Sequence, residues 1–200
     1  MPRKAGRSAE DTRRALLDAA GAAVRARGVS ASLDDIARQA GVSKGGLLHH
    51  FASKDELVRA LAEDLLAGFR ADVTAAVDPA DTAPGALTRA YVRVCADFAR
   101  DDVAVHELQP LIGHLSTIPE VAEIARADAR RWRDDLRADG LPDHITALVV
   151  AAADGISAAP DWSTPLDDSA LRGLETLLLA LTTDTRLWDH LDVAPGQLPR

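Results

Sequence analysis

Residues 32–57 read "SLDDIARQAGVSKGGLLHHFASKDEL" and hold the most informative pattern of the chain. Ser32 and Ser43 each stand where a helix N-cap is expected, and Gly41 separates the two short helical segments. Helix, glycine turn and helix is the layout of a helix-turn-helix. In the second segment, Gly45 and Gly46 each disfavour a helix by about 1 kcal/mol relative to alanine. They indicate either a loose turn or a backbone that must come close to another molecule.

The rest of the chain is predicted to be helical. Apolar residues recur at intervals of three and four with no sustained alternation, which is typical of amphipathic helices. We therefore predict an all-α protein of about nine helices. Four begin before residue 60, and the fourth is long and ends at the loop 78–85. The others are expected at about 84–100, 102–115, 119–138, 143–158 and 167–182.

Charge divides the chain in the same way as the helix pattern. Residues 1–60 carry eleven Lys and Arg against seven Asp and Glu, whereas the remainder carries twelve against twenty-four. The formal net charge of −8 is therefore unevenly spread, and a small module facing a polyanion is indicated beside a larger acidic body. We place a three-helix domain at residues 1–54, with its helix-turn-helix at about 32–51. A second helical domain occupies residues 55–200.

The composition and the motifs argue against several other classes of protein. No run of about 18 apolar residues predicts a membrane span, and the single cysteine, Cys95, favours a cytoplasmic location without disulfides. The stretch "HELQP" at 106–110 begins like a zinc-protease motif, but Pro110 occupies the second ligand position. The stretch "GISAA" at 155–159 lacks the last glycine of a nucleophile elbow. We expect no catalytic residue, no metal site and no cofactor.

Residues 32–61 closely resemble the DNA-binding domain of the TetR family of transcriptional regulators. The resemblance covers the first third of the chain, and beyond it only the all-helical architecture is similar. Thirteen positions match the family pattern at fixed spacing: Ile36, Ala37, Ala40, Gly41, Val42, Ser43, Gly45, Leu47, His50, Phe51, Ser53, Lys54 and Leu57.

The resemblance implies a role in DNA binding for nine residues. Ser32 would contact a phosphate, and residues 43–46 would approach the bases and the backbone in the major groove. His49 and His50 would lie near phosphates, and Lys54 would bind one more. Leu48 stands where the family often has a tyrosine, so a thymine methyl is its expected contact. The DNA-binding residues are thus Ser32, Ser43, Lys44, Gly45, Gly46, Leu48, His49, His50 and Lys54.

Ordinary structural roles remain open for several of these residues. The serines are good helix caps whether or not DNA is present, and a lone surface lysine is common. Asp34 is acidic where many relatives carry arginine, which leaves the operator sequence open. The basic arm that includes Arg7 is either a phosphate contact or a solvated tail.

The acidic body is expected to serve assembly and regulation. The last two predicted helices are the most apolar, and such helices pack against symmetry mates in four-helix interfaces. The dimer contacts are expected at Leu148, Ala152, Ile156, Leu171, Leu174 and Leu178. The resemblance also implies a pocket for a small-molecule effector, for which the candidates are Phe69, Tyr91, Phe98, His106, Gln109 and Trp132.

Together these features predict a cytoplasmic, homodimeric transcriptional regulator that binds a palindromic double-stranded operator. It is expected to be a repressor that releases DNA when it binds an effector. The alternative is a helical ligand-binding or interaction protein without specific DNA readout. Binding that weakens steeply with salt would favour the regulator.

Overall fold

The computed structural model describes residues 7–157 and 166–191. Within these residues the chain forms ten α-helices and no strand, which confirms the all-α prediction. The additional helix, α10, follows the last one that the apolar pattern predicted. The helices are α1 (Ala9–Arg27), α2 (Leu33–Ala40), α3 (Lys44–His50), α4 (Lys54–Ala75), α5 (Ala86–Arg100), α6 (Asp102–Ser116), α7 (Pro119–Ala138), α8 (Asp143–Ser157), α9 (Asp168–Leu181) and α10 (Thr185–Leu191).

The helix ends follow local capping chemistry. The hydroxyl of Ser8 accepts the backbone N–H of Asp11 at 3.0 Å, and the Asp11 carboxylate accepts the Ser8 N–H at 3.2 Å. This capping box satisfies two backbone groups that a helix start leaves unpaired. The box places the start of α1 at Ala9. Ala158, the last residue predicted for the eighth helix, lies outside the described residues.

The chain divides into two compact units. The first comprises residues up to 67 together with 107–127, and the second comprises 68–106 together with residues from 128 onward. Helices α4, α6 and α7 each run from one unit into the other. This division differs from the sequence boundary at residues 54 and 55. Leu111 of α6 shows the reason, because its methyl group lies 3.6 Å from where a Cβ on Gly21 of α1 would stand.

The core of the first unit is formed by the inward faces of α1 to α4 together with apolar residues of α6 and α7. Leu16 and Val24 of α1 are fully buried, as are Ile36, Leu47 and Phe51. Leu111, Leu115 and Val121 belong to the same cluster. Each such side chain contributes roughly 1.5–3 kcal/mol through the removal of apolar surface from water. The helix-turn-helix is therefore held on a rigid support.

The second unit has its own core, in which α5 packs on α8 and α9. Val92, Ile145 and Val149 are fully buried, and Leu171 and Leu178 of α9 complete the cluster. Cys95 is buried in this core, and burial raises the pKa of its thiol to about 12.

Helix α5 begins with a cap supplied from a distant part of the chain. Its N-cap residue is Gly85, which has no side chain and a left-handed φ of +91°. The carboxylate of Asp139 caps the helix instead, because it accepts the backbone N–H of Leu87 at 3.1 Å and that of Thr88 at 2.7 Å. The Thr88 hydroxyl donates to the same carboxylate at 2.8 Å. The end of α7 therefore stabilises the start of α5.

A buried arginine anchors the loop before α5. The guanidinium of Arg89 donates to both carboxylate oxygens of Asp81 at 2.7 Å, and to the carbonyls of Ala83 and Pro84 at 3.2 and 2.9 Å. Arg89 is only 4% exposed. A buried charge requires partners of this kind, because unpaired it would lose its hydration without compensation. The loop 78–85 is thus a structured part of the second unit.

Candidate nucleic-acid interface

The helix-turn-helix is fixed by two serine caps and one left-handed glycine. The Ser32 hydroxyl accepts the N–H of Asp35 at 3.2 Å, and the Ser43 hydroxyl accepts the N–H of Gly46 at 3.0 Å. Between them, Gly41 has a φ of +72°, a conformation that side chains disfavour. The caps that the sequence predicts are therefore present. Both serines are exposed, so their hydroxyls reach the surface.

Helix α3 has distinct inner and outer faces. Leu47 is fully buried in the core of the first unit, and Gly46 and His50 are half-buried. Because an α-helix completes a turn every 3.6 residues, the other residues of α3 point away from this core and into solvent. The exposed residues of α3 are Lys44, Gly45, Leu48 and His49. With Ser43 before the helix, they form a continuous outward surface, which we call the α3 face.

The two glycines of α3 differ in how much room the packing of the chain leaves for a side chain. Neither has a positive φ, so neither is needed for the backbone. A Cβ on Gly46 would lie 3.3 Å from the Ser43 hydroxyl and 3.7 Å from the Val42 Cβ, which is tight. A Cβ on Gly45 would have only that hydroxyl near it, at 3.9 Å. The packing of the described residues therefore gives no reason for glycine at 45, on the exposed side of the helix.

The two predicted lysines are held by other parts of the first unit. The Lys44 ammonium donates to the Asp34 carboxylate at 2.8 Å, and 52% and 63% of the two side chains are exposed. The Lys54 ammonium donates to the carbonyl of Val29. Lys54 is half-buried and begins α4, so it ties that helix to the segment after α1. The sequence identified Lys44 and Asp34 as separate features, and the structure joins them.

The remaining predicted residues of this surface lie at the end of α3. Leu48 is 40% exposed and belongs to the outward side of α3. The rings of His49 and His50 meet edge to face, 5.7 Å apart. From the N-terminal arm, Arg7 donates to the carbonyl of Ala40 at 3.0 Å. This bond places the guanidinium of Arg7 at the end of α2.

Three of the six predicted effector-pocket residues meet in the second unit. The rings of Phe69, Tyr91 and Trp132 contact one another edge to face, with centroids 5.2–5.7 Å apart. The sequence did not identify the polar groups around them. The Tyr91 hydroxyl donates to the Asp154 carboxylate at 2.5 Å, and the Arg70 guanidinium lies 4.0 Å from the centre of the Trp132 ring. Burial, with that carboxylate, raises the pKa of Tyr91.

The other three candidates for the pocket lie elsewhere. Phe98 is half-buried on α5 and His106 is exposed on α6, both in the second unit. Gln109 is half-buried in the first unit. No local sequence signal marks Asp154, which lies 63 residues from Tyr91, so the sequence could not assign it to this cluster.

The predicted dimer residues fall into two groups. Ile156, Leu171 and Leu178 are buried in the chain's own core, and Ala152 and Leu174 are half-buried. Leu148 is 45% exposed, and Leu177, another apolar residue of α9, is 54% exposed. Among the described residues, and apart from adjacent residues and the backbone of the same helix, no atom lies within 4 Å of where a Cβ on Gly155 or Gly173 would stand.

None of the helices in residues 7–157 and 166–191 combines the length and the apolar composition of a membrane span. Within the same residues, no group of three histidine, cysteine or acidic side chains is arranged to hold a metal ion.

Comparison with known proteins identifies both parts of the chain. Residues 16–61 match the family model described as bacterial regulatory proteins of the tetR family. Residues 85–183 match the tetracyclin repressor-like C-terminal domain. The chain belongs to the TetR family. This confirms the resemblance read from residues 32–61 and extends it to the body, where no motif was visible.

Similar proteins are regulators by name. The regulator SrpR of Pseudomonas putida is 47% identical over 62 residues, 30% of this chain and 29% of its own length. The regulator BetI of Rhizobium meliloti is 34% identical over 128 residues, 62% of each chain. The matches to the curated relatives cover less than two thirds of those proteins. A crystal structure of the multidrug binding protein EbrR complexed with malachite green is 27% identical with a TM-score of 0.63 and covers 85% of this chain and 97% of EbrR.

Proposed function

We propose that this TetR-family chain is a sequence-specific DNA-binding regulator of transcription, and that the α3 face enters the major groove. The observation that carries the proposal is Gly45, an exposed helical glycine for which the packing of the described residues gives no reason. A backbone without a side chain can approach base edges closely. Lys44 and Leu48 stand beside it as a donor to guanine and an apolar contact for a thymine methyl.

We expect the residues around the α3 face to contact phosphates. Ser32, Ser43 and His49 are exposed, and His50 and Lys54 are half-buried at the edges. Phosphate contacts fix the register of a protein on DNA, whereas base contacts determine the sequence that it prefers. Lys54 releases the Val29 carbonyl if it binds a phosphate, because its ammonium donates there in the free protein.

The test is a selection of binding sites from randomised duplex DNA over several rounds, with Lys44→Ala and the wild type at the same salt concentration. We expect the wild type to enrich a palindrome and the variant to lose that enrichment. Arg59→Ala is the control, because Arg59 is an exposed cation of the same unit on α4, outside the α3 face. A wild type that enriches no sequence at low salt would favour the interaction-protein alternative.

We propose that the chain acts as a homodimer through the outward faces of α8 and α9. The support is the pair of exposed leucines, Leu148 and Leu177, together with two helical glycines that the described packing does not require, Gly155 and Gly173. Small residues let two helices approach closely, and exposed leucines gain by burial between copies. The buried Leu171 and Leu178 then support this face from within the core.

Sedimentation equilibrium tests the dimer. Leu177→Glu is expected to yield a folded monomer, and Glu120→Leu, at an exposed position of α7, is expected to leave the dimer intact. A palindromic operator follows from the dimer, because two recognition helices about 34 Å apart read two half-sites. If Leu177→Glu stays dimeric, another surface forms the interface.

We propose that a small-molecule effector binds in the second unit at the aromatic cluster and releases the operator, which makes the chain a ligand-responsive repressor of the cytoplasm. EbrR, a structural relative, was crystallised with malachite green. Phe69, Tyr91 and Trp132 supply stacking surfaces, and the Asp154 carboxylate lies at their edge. Phe98, His106 and Gln109 stay candidates for further contacts.

The effector proposal is tested by titrating candidate compounds while the fluorescence of Trp132 and the affinity for the selected operator are recorded. A compound that changes both is expected to lose its effect when Trp132 is replaced by leucine. A compound that releases the operator equally well from Trp132→Leu acts elsewhere.

A further inference from the structure

The carboxylate of Asp34 and the ammonium of Lys44 form a bridge across the turn of the helix-turn-helix. Asp34 lies in the first turn of α2 and Lys44 is the first residue of α3, and their charged atoms are 2.8 Å apart. More than half of each side chain is exposed. An exposed ion pair of this kind contributes only about 0–1 kcal/mol to stability, so its main consequence is electrostatic.

The neighbouring residue, Asp35, is used differently. Its carboxylate accepts the Ser32 hydroxyl at 2.8 Å and the guanidinium of Arg27 at 2.5 Å. The hydrogen bond from Ser32, followed by the arginine charges, lowers the pKa of Asp35. Asp35 therefore supplies the acidic group that favours a helix start. Asp34, one position earlier, is directed instead to the lysine of the recognition helix.

The pair changes what Lys44 offers to DNA. An ammonium group has three donors, and one of them is engaged by Asp34. Two remain, which is the number that the O6 and N7 acceptors of a guanine can take. At longer range the two charges cancel, because the field of an ion pair falls off faster than that of a single charge. The electrostatic attraction between Lys44 and a phosphate is therefore weak. A base at hydrogen-bond distance still accepts the full hydrogen bonds of the ammonium.

We propose that Asp34 is a specificity-determining residue that keeps Lys44 as a reader of base edges and suppresses its binding to phosphates of any sequence. The proposal rests on the proposed function, because it requires that the α3 face bind DNA.

The experiment compares Asp34→Asn with the wild type and with Glu63→Gln. Glu63 is a matched control, because it is also an exposed carboxylate of the first unit paired with a cation, Arg59, at 3.1 Å. Affinities for the selected operator and for a scrambled duplex of equal length are measured by fluorescence anisotropy between 50 and 200 mM salt.

Asp34→Asn is expected to free one positive charge per recognition helix. The magnitude of the salt slope on the scrambled duplex then rises by about 0.9 for each bound helix, which adds a factor of about 3 to 4 between 50 and 200 mM salt. Scrambled DNA is bound more tightly at low salt, so the ratio of operator to scrambled affinity falls. Glu63→Gln is expected to leave that ratio unchanged, and Asp34→Glu to preserve most of it.

A second background shows whether Asp34 acts through Lys44. In Lys44→Gln protein, the Asp34→Asn change is expected to leave the affinity for the scrambled duplex and its salt slope unaltered. Equal tightening in both backgrounds would overturn the proposal, because Asp34 would then act only as a charge that repels DNA. A wild type that selects an operator, with an Asp34→Asn variant that keeps its ratio, overturns this inference alone. A wild type that selects no operator overturns the proposed function as well.

Discussion

The polar side chains at the start of α3 are exposed, whereas those at the start of α5 are buried. At α3 the cap comes from the adjacent Ser43, and the residues that follow are exposed to solvent. At α5 the cap comes from Asp139, which directly follows α7, and the side chains of Thr88 and Arg89 are buried. The first arrangement leaves hydrogen-bonding groups available to a partner, and the second uses them to hold the fold together.

The contrast separates residues for binding from residues for stability. An exposed polar group that is removed changes stability little, whereas a buried network that loses one member leaves the others without partners. Substitutions at the start of α5 should therefore change unfolding without changing the DNA affinity of the folded protein. Substitutions on the α3 face should do the reverse.

The largest expected effect is at Arg89. In Arg89→Met, Asp81 and two backbone carbonyls lose their donor, and we expect the free energy of unfolding of the second unit to fall by about 3 kcal/mol. Urea unfolding followed by the fluorescence of Trp132 and Trp188 measures it. Arg130→Met, at an exposed position of α7, is the control. Equal stability of the two variants would contradict the assigned role of Arg89.

The next effect concerns the distant cap. Asp139→Ala leaves the N–H groups of Leu87 and Thr88 without their acceptor, and we expect a loss of about 1–2 kcal/mol in the same assay. Asp134→Ala, at an exposed position of α7, is the control for the loss of an acidic side chain from this region. The affinity for the operator should be the same in both variants, and a selective loss of affinity in Asp139→Ala would break the contrast between the two regions.

The difference between these regions also explains what the sequence could predict. The caps of the helix-turn-helix join Ser32 to Asp35 and Ser43 to Gly46, each three residues apart, so they are visible as local patterns. The outward face of α3 then follows from helical periodicity around the buried Leu47. Thirteen positions that match at fixed spacing indicated the family, and the comparisons with known proteins confirmed it.

The cap on α5 had no such signal. Asp139 lies 51 and 52 residues from the groups that it accepts, and Arg89 lies 93 residues from Thr182, to which it also donates. The loop 78–85 was recognised from its proline and glycine content, but the buried arginine that anchors it was not. Likewise Lys44 and Asp34 were both noted, and only the fold brings their charges together. Pairings across distant segments depend on helix packing, which one sequence does not encode locally.

Gly45 offers a test in which stability and binding move in opposite directions. Gly45→Ala should stabilise the first unit by up to about 1 kcal/mol, because its Cβ would make only an ordinary contact with the Ser43 hydroxyl at 3.9 Å and alanine favours the helix. The same methyl group should weaken operator binding by about tenfold, or roughly 1.4 kcal/mol. Thermal unfolding by circular dichroism and anisotropy measure the two effects.

Gly85→Ala is the matched control for that test. Its φ of +91° and its Cβ position, 2.8 Å from the Arg89 guanidinium and 2.9 Å from Leu141, predict destabilisation without a change in operator affinity. A Gly45→Ala variant that binds the operator as tightly as the wild type would remove the reason we give for a glycine on the α3 face.

The smallest expected effect is in acid, where both regions contribute. The hydrogen bond from Arg89 lowers the pKa of Asp81, and the hydroxyl of Ser32 lowers the pKa of Asp35. Unfolding returns each carboxyl to its ordinary pKa of about 4. The stabilisation is therefore complete above about pH 4 and is lost as the pH falls through the lower pKa of the folded protein.

Replacing one carboxylate in each region assigns the acid sensitivity. Asp81→Asn should lower the urea midpoint at neutral pH, because the buried Arg89 loses its carboxylate partner, and should reduce the dependence of that midpoint on pH below 4. Tryptophan fluorescence reports on the second unit through Trp132 and Trp188. Asp35→Asn should leave that dependence unchanged, because Asp35 belongs to the first unit. If Asp35→Asn flattens the fluorescence profile as strongly as Asp81→Asn, the two units unfold as one cooperative system in acid, and the contrast between them is limited to binding.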